Sequence, residues 1–94
     1  MHVRVVRFTG VSAERMASTK ARIESAGGPP SDVPASGLTV MFDEDQGTAI
    51  VLQSFATKAD LDAGARVLSA MDPTETPGER ASVDSCEVLL EVSS

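Results

Sequence analysis

Residues 37–71 constrain the fold of this chain more than any other segment. They contain a short alternating run, an acidic turn closed by Gly47, a nearly apolar run and a helical stripe that follows Thr57. Apolar residues at every second position are typical of strands, whereas apolar residues three and four apart are typical of helices. The segment therefore predicts a strand, a hairpin turn, a second strand buried on both faces, and a capped helix.

The residues on either side complete the pattern. Residues 3–8 alternate in the manner of a strand, and Ser12 precedes a helical segment that ends at Gly27 before two prolines. Residues 83–92 alternate again and predict the last strand. We therefore predict an α+β, ferredoxin-like βαββαβ fold. Right-handed crossovers place the first and third strands at the centre of a four-stranded antiparallel sheet, with two helices on one face.

A chain of 94 residues has room for one domain, which we predict to span residues 1–94. Two helices on one face leave the other face of the sheet uncovered. We expect that face to carry large apolar side chains, namely Val6, Phe8, Met41, Val51, Phe55 and Leu89. Because an apolar patch of this size rarely faces water, we predict a homodimer that packs sheet to sheet.

Composition excludes several classes of partner. The net charge of −6 opposes binding to nucleic acid, since phosphates are neutralised by clustered Lys and Arg. No apolar run approaches the roughly 20 residues of a membrane span, and the first residues lack the apolar core of a signal peptide. Cys86 is the one cysteine and can form no disulfide within the chain. We expect a soluble cytoplasmic protein.

Three segments carry a resemblance to a known family. They are residues 37–47, with their strand and acidic turn, residues 53–61, with a strand-to-helix step, and residues 80–83, which enter the last strand. In this order and spacing the chain resembles the dimeric α/β-barrel superfamily, in particular small proteins similar to antibiotic-biosynthesis monooxygenase domains. The resemblance covers nearly the whole chain, and it implies two sheets packed face to face as a barrel.

The resemblance also raises the question of enzyme activity. Cofactor-free oxygenases and haem-degrading enzymes of this superfamily commonly use Asn, Trp, Tyr or His around the barrel cavity. This chain has no Asn, no Trp and no Tyr. We therefore carry over no catalytic residue from the family, and whether the chain is an enzyme stays open.

Four polar side chains are candidates for binding a ligand, namely His2, Arg4, Gln53 and Glu87. Strand parity places His2 and Arg4 on one face, which we expect to line the barrel. His2 is either a solvated residue near the terminus or a general base. Arg4 and Glu87 either form an ion pair between neighbouring strands or offer Arg4 as a bidentate anchor for a carboxylate. Gln53 either marks a strand end or orients a ligand in an apolar cavity.

Other reactive side chains have simpler interpretations. Cys86 falls on the apolar face of the last strand, where a buried thiol behaves as a small hydrophobic group. The acidic residues 43–45 are too few for a calcium loop, and a lone histidine makes no metal site. We therefore expect no metal and no cofactor.

Three functions remain open. The first is a protein that binds a small, mostly apolar molecule in or beside the barrel. The second is a cofactor-independent, monooxygenase-like enzyme acting on an aromatic substrate. The third is a purely structural dimerisation module. A cavity and its lining would separate them, because the third predicts a filled interior and the first predicts an apolar cavity with few polar groups.

Overall fold

The computed structural model describes residues 1–27, 33–70 and 76–93, and its elements follow the predicted order. They are β1 (His2–Thr9), α1 (Ala13–Ala26), β2 (Gly37–Asp43), β3 (Thr48–Phe55), α2 (Lys58–Ser69) and β4 (Glu79–Glu87). The strands form one antiparallel sheet in the order β2-β3-β1-β4. The predicted ferredoxin-like βαββαβ fold, with β1 and β3 at the centre of the sheet, is confirmed.

Both helices begin at the predicted caps. The Ser12 hydroxyl accepts a hydrogen bond from the Arg15 N–H, and the Thr57 hydroxyl accepts one from the Asp60 N–H, each at 3.1 Å. Each bond satisfies a backbone donor that the helix itself leaves unpaired. At the other end of α1, Gly27 adopts the left-handed conformation with φ 78°, which glycine enters without a steric penalty. α2 ends at Ser69, and residues 72–73, an Asp-Pro pair that the sequence predicts to end this helix, lie outside the described residues.

Hydrogen bonds to the Asp43 side chain stabilise the turn of the β2–β3 hairpin. Asp43 accepts hydrogen bonds from the backbone N–H of Gln46 at 3.2 Å and from its side-chain amide at 2.7 Å. Gly47 ends the turn with φ 65°.

Among the described residues, no group of three or more His, Cys, Asp or Glu side chains is placed to hold a metal ion.

The helices pack against one face of the sheet and form two apolar clusters. The first cluster joins α1 to the sheet and contains Val6, Phe8, Val11, Met16, Ala49 and Val51. The second cluster joins α2 to the end of β3 and contains Val33, Phe55 and Leu61. Burial of these side chains is the main source of stability, at about 1.5–3 kcal/mol for each large one.

Gly64 lets α2 approach the sheet closely. A Cβ atom at Gly64 would lie 2.7 Å from Cε1 of Phe55 and 3.1 Å from Cγ1 of Val33. Carbon atoms at favourable separation are about 3.5–4.0 Å apart, so any larger residue would push α2 away from the second cluster.

The prediction for the uncovered face is wrong for four of its six residues. Val6, Phe8, Val51 and Phe55 are buried on the face that the helices cover. The register pairs Val3 with Ser54, Val5 with Leu52 and Arg7 with Ile50 on the other face. There Val3, Val5, Ile50 and Leu52 are half-buried and Met41 is exposed, so within one chain β3 is fully buried on one face and not on both.

β4 differs from its prediction in both bounds, since it spans Glu79–Glu87 and not residues 83–92. The antiparallel ladder with β1 ends where Glu87 faces His2. One more backbone hydrogen bond follows, from the Val88 N–H to the Met1 carbonyl at 2.9 Å. Leu89, the last residue predicted for the uncovered face, lies beyond the strand and is exposed. Alternation in the sequence therefore continues past the point at which a partner strand exists.

None of the described helices is both long enough and apolar enough to cross a bilayer.

Candidate functional site

An apolar cleft lies between α1 and β2 on the helix-covered face. Its volume is about 400 Å³, and its lining residues are Met16, Lys20, Ile23, Glu24, Val40 and Phe42. This volume falls within the roughly 300–1,000 Å³ of small-molecule sites, which are typically apolar with a few polar groups. The cleft therefore has the size and chemistry of a site for a small apolar molecule.

The local sequence explains this lining. Positions 16, 20, 23 and 24 fall on one side of α1 because a helix turns every 3.6 residues, and Val40 and Phe42 alternate toward the helices along β2. Lys20 and Glu24 form an ion pair at 3.3 Å and remain mostly exposed. An exposed pair one turn apart contributes only about 0.3–0.5 kcal/mol. The cleft therefore combines apolar walls with one charged pair at its solvent side.

A polar pair lies between the two apolar clusters, and it consists of Arg4 and Gln53. The register aligns Leu38, Gln53, Arg4 and Ser85 across the four strands. Arg4 is 3% exposed and Gln53 is 7% exposed. Arg4 donates a hydrogen bond from Nη1 to Oε1 of Gln53 at 3.1 Å. The pair thus interrupts the core with a cation and a neutral amide.

No described residue compensates the charge of the Arg4 guanidinium with an ion pair. Burial lowers the pKa of Arg4 because desolvation disfavours the charged form, and the positive charge of Arg80 lowers it further. Its Nε atom is buried and has no hydrogen-bond partner in the described part of the chain. Buried charges are usually paired with an opposite charge, so this site lacks the group that arginine burial normally requires.

The four predicted site residues divide into two pairs. Arg4 and Gln53 are joined by their hydrogen bond, while His2 and Glu87 face each other across β1 and β4 at the end of the sheet. Arg4 faces Ser85 across the same two strands, and no ion pair joins it to Glu87. Arg4 and Gln53 are buried on the helix-covered face and not on the open face expected to line a barrel, whereas His2 is half-buried and Glu87 is exposed.

Three parts of the site differ from the sequence interpretation or were missed by it. The cleft was missed, because helical spacing along α1 gives no sign that the helix leaves space over β2. The effect of Arg80 on Arg4 was also missed, because it depends on how β4 pairs with β1. Cys86 is exposed and not buried, as is every residue of the edge strand β4, and it faces Val3.

Comparisons with known proteins agree on the fold. No protein-family profile matches the chain, and no curated protein matches it. Among solved structures, the chain superposes on a MhuD variant that carries two manganese protoporphyrin IX molecules per active site, with a TM-score of 0.64 and 14% identity over 100% of both chains. It also superposes on Rv0793 from Mycobacterium tuberculosis, with a TM-score of 0.58 and 13% identity over 98% of both chains.

Identities of 13–14% establish similarity of fold alone. The superposition includes essentially the whole length of each chain, so the likeness extends to every element of the βαββαβ order. The resemblance to small proteins like the antibiotic-biosynthesis monooxygenase domains is thus confirmed as a resemblance of fold.

Proposed function

We propose that this protein binds a small, mostly apolar molecule in the cleft between α1 and β2. The observation that carries the proposal is the lining, in which Met16, Ile23, Val40 and Phe42 supply the apolar walls. Transfer of an apolar molecule of two rings from water to such walls is favourable at about 25 cal/mol for each Å² removed from water.

The test uses N-phenyl-1-naphthylamine, a neutral probe whose fluorescence rises in an apolar site. The wild-type protein binds the probe, and Ile23→Trp weakens binding by at least about tenfold because the indole fills the cleft. Ala21→Trp is the matched control, since Ala21 is exposed on the same helix and does not line the cleft. Absence of probe binding to the wild-type protein, or equal affinity for both variants, would contradict the proposal.

We also propose that the protein is a homodimer that packs through its open sheet face. Its support is the set of apolar side chains on that face, of which Val3, Val5, Ile50 and Leu52 are half-buried in one chain and Met41 is exposed. Covering them removes apolar surface from water in both copies at once. A clean monomer at micromolar concentration in size-exclusion chromatography with light scattering would contradict the dimer.

The cytoplasmic location of the protein stays a prediction.

The MhuD structure raises the question of a porphyrin, and the described residues that line the cleft do not fit one. Haem iron is commonly held by a histidine, cysteinate, methionine or tyrosinate side chain. The cleft offers only Met16 among these. His2 pairs with Phe55 at the far end of β1, and Cys86 lies on the opposite face of the sheet. We derive no step through a haem.

A monooxygenase-like enzyme acting on an aromatic substrate is the second candidate, and its support is the fold shared with MhuD. The charged groups beside the cleft are Lys20 and Glu24, which already pair with each other. Oxygen consumption with hydroquinone-type substrates tests this candidate. Uptake that Ile23→Trp abolishes and Ala21→Trp preserves would establish the enzyme. Probe binding without uptake favours a binding protein, and a dimer that binds no probe favours a structural module.

A further inference from the structure

Arg4 and Gln53 form the polar pair at a place where a packed core would place apolar residues. The helix-facing neighbours on one side are Val6 and Val51, and the neighbour of Gln53 on the other side is Phe55. All three neighbours are buried. The polar pair therefore separates the first cluster from the second.

The hydrogen-bonding groups of this pair do not satisfy one another. A guanidinium has five N–H donors and no acceptor. Arg4 directs one donor to the neutral amide oxygen of Gln53, and its Nε donor is buried without a partner among the described residues. An anion is the group that would satisfy a guanidinium in this environment, because a carboxylate accepts two parallel N–H bonds from it.

The surrounding charges favour an anion further. Arg80 faces Phe8 across β1 and β4, and its positive charge acts on Arg4. Glu87 lies beside His2 and makes no ion pair with Arg4. The residues described around Arg4 therefore present two cations and no paired carboxylate.

The polar pair lies close enough to the cleft to share one ligand. Val40, which lines the cleft, pairs with Val51 on β3, and Gln53 lies two residues further along the same strand. Neighbouring strands are about 4.8 Å apart, and alternate residues along one strand are about 6.8 Å apart. The Cα atom of Gln53, one strand away, therefore lies roughly 8 Å from the Cα atom of Val40, and that of Arg4, two strands away, lies roughly 12 Å from it. A molecule of two fused rings with one carboxylate covers most of this separation.

We propose that Arg4, positioned by Gln53, is an anion subsite that binds the carboxylate of the small apolar ligand. This inference rests on the proposed function, because the apolar part of the ligand occupies the cleft. It adds the chemical class of the ligand, a monocarboxylic acid with a compact ring system.

The experiment compares 2-naphthoate with 2-naphthamide, which have the same rings and differ in charge. In titration calorimetry the wild-type protein binds 2-naphthoate at least about tenfold more tightly than 2-naphthamide, because only the carboxylate pairs with the guanidinium. Arg4→Met lowers the affinity for 2-naphthoate to that for the amide and leaves the amide unchanged. Arg66→Met, which removes an exposed arginine from α2, changes neither affinity.

A second readout separates an anion subsite from a structural arginine. Arg4→Met replaces an unpaired buried charge by an apolar side chain, so the ligand-free variant melts at a temperature higher by about 4 °C or more. A lower melting temperature, together with unchanged selectivity between the probes, would show that Arg4 serves the core and would overturn the inference.

The two proposals fail in different ways. Equal affinity of the wild-type protein for both probes overturns the anion subsite and leaves the apolar cleft in place. Binding of neither probe overturns both. If Arg4→Met does not fold, the wild-type comparison still decides, and Arg4→Lys, which retains the charge and loses the bidentate geometry, is expected to bind 2-naphthoate with intermediate affinity.

Discussion

Gly64 is where α2 approaches the sheet most closely, and substitution there tests the helix position that buries Phe55. In Gly64→Ala the added Cβ would lie 2.7 Å and 2.9 Å from two ring carbons of Phe55. Because a comfortable separation is about 3.5–4.0 Å, either α2 or the ring must move by close to 1 Å. Phe55 is completely buried, so the ring has little space into which it can move.

Two opposing contributions set the expected change in stability. Alanine is favoured over glycine inside a helix by about 1 kcal/mol, whereas overpacking a rigid core costs about 1–3 kcal/mol. We expect the steric cost to exceed the helix gain, so Gly64→Ala lowers the free energy of unfolding by about 1 kcal/mol. For a domain of this length that corresponds to a fall in Tm of roughly 4–8 °C.

The assay is thermal unfolding followed by circular dichroism, arranged as a double-mutant cycle with Phe55→Leu. Leucine is smaller than phenylalanine and removes the two ring atoms that the new Cβ contacts. Phe55→Leu is itself destabilising, but in that background Gly64→Ala becomes neutral or stabilising, with a coupling energy of about 1–3 kcal/mol. A higher Tm for Gly64→Ala in the wild-type background, or additive effects of the two substitutions, would refute the close approach.

Three further outcomes are expected. Leu52→Glu on the open face is expected to convert the proposed dimer to a monomer in light scattering, because a charge would be buried at the interface. Ala59→Glu on the exposed side of α2 is expected to leave the proposed dimer intact. A dimeric Leu52→Glu variant would contradict the sheet-to-sheet arrangement. Cys86 lies on the same face as Leu52. We therefore expect 5,5′-dithiobis(2-nitrobenzoic acid) to label the Cys86 thiol faster in monomeric Leu52→Glu than in the wild-type protein. Equal labelling rates would show that no second copy covers the thiol. Ser12→Ala removes the cap of α1 and lowers the free energy of unfolding by about 1 kcal/mol, as measured by thermal unfolding. The control is Ser18→Ala, an exposed substitution in the middle of the same helix. An equal decrease in the free energy of unfolding for both variants would contradict a capping role.

The order of the elements could be predicted because each has a local cause. Ser12 and Thr57 satisfy helix N-termini, Gly27 and Gly47 adopt positive φ at the predicted ends of a helix and a hairpin, and alternation marks the strands. None of these signals needs a distant contact. The end of β4 could not be predicted, since its last residue in register with β1 is Glu87, which faces His2, whereas the alternation in the sequence continues to residue 92.

The candidate site was predictable only in part. Arg4 and Gln53 could be named as polar residues within apolar strands, and parity placed Arg4 with Val6 and Phe8. That this shared face is covered by helices depends on packing, because both faces of β1 and β3 contain apolar residues. The earlier choice of barrel-facing residues was wrong for this reason.

The amino-acid sequence by itself determines the βαββαβ order, the caps, the hairpin and the central position of β1 and β3, because local conformational preference and the handedness of crossovers decide them. The tertiary structure alone decides which sheet face the helices bury and where α1 leaves an apolar cleft over β2. It also decides that Arg4 is enclosed beside Gln53 with no carboxylate paired to it among the described residues. These features depend on side chains from distant segments meeting in space, and residue spacing along one strand or helix carries no information about what packs against it.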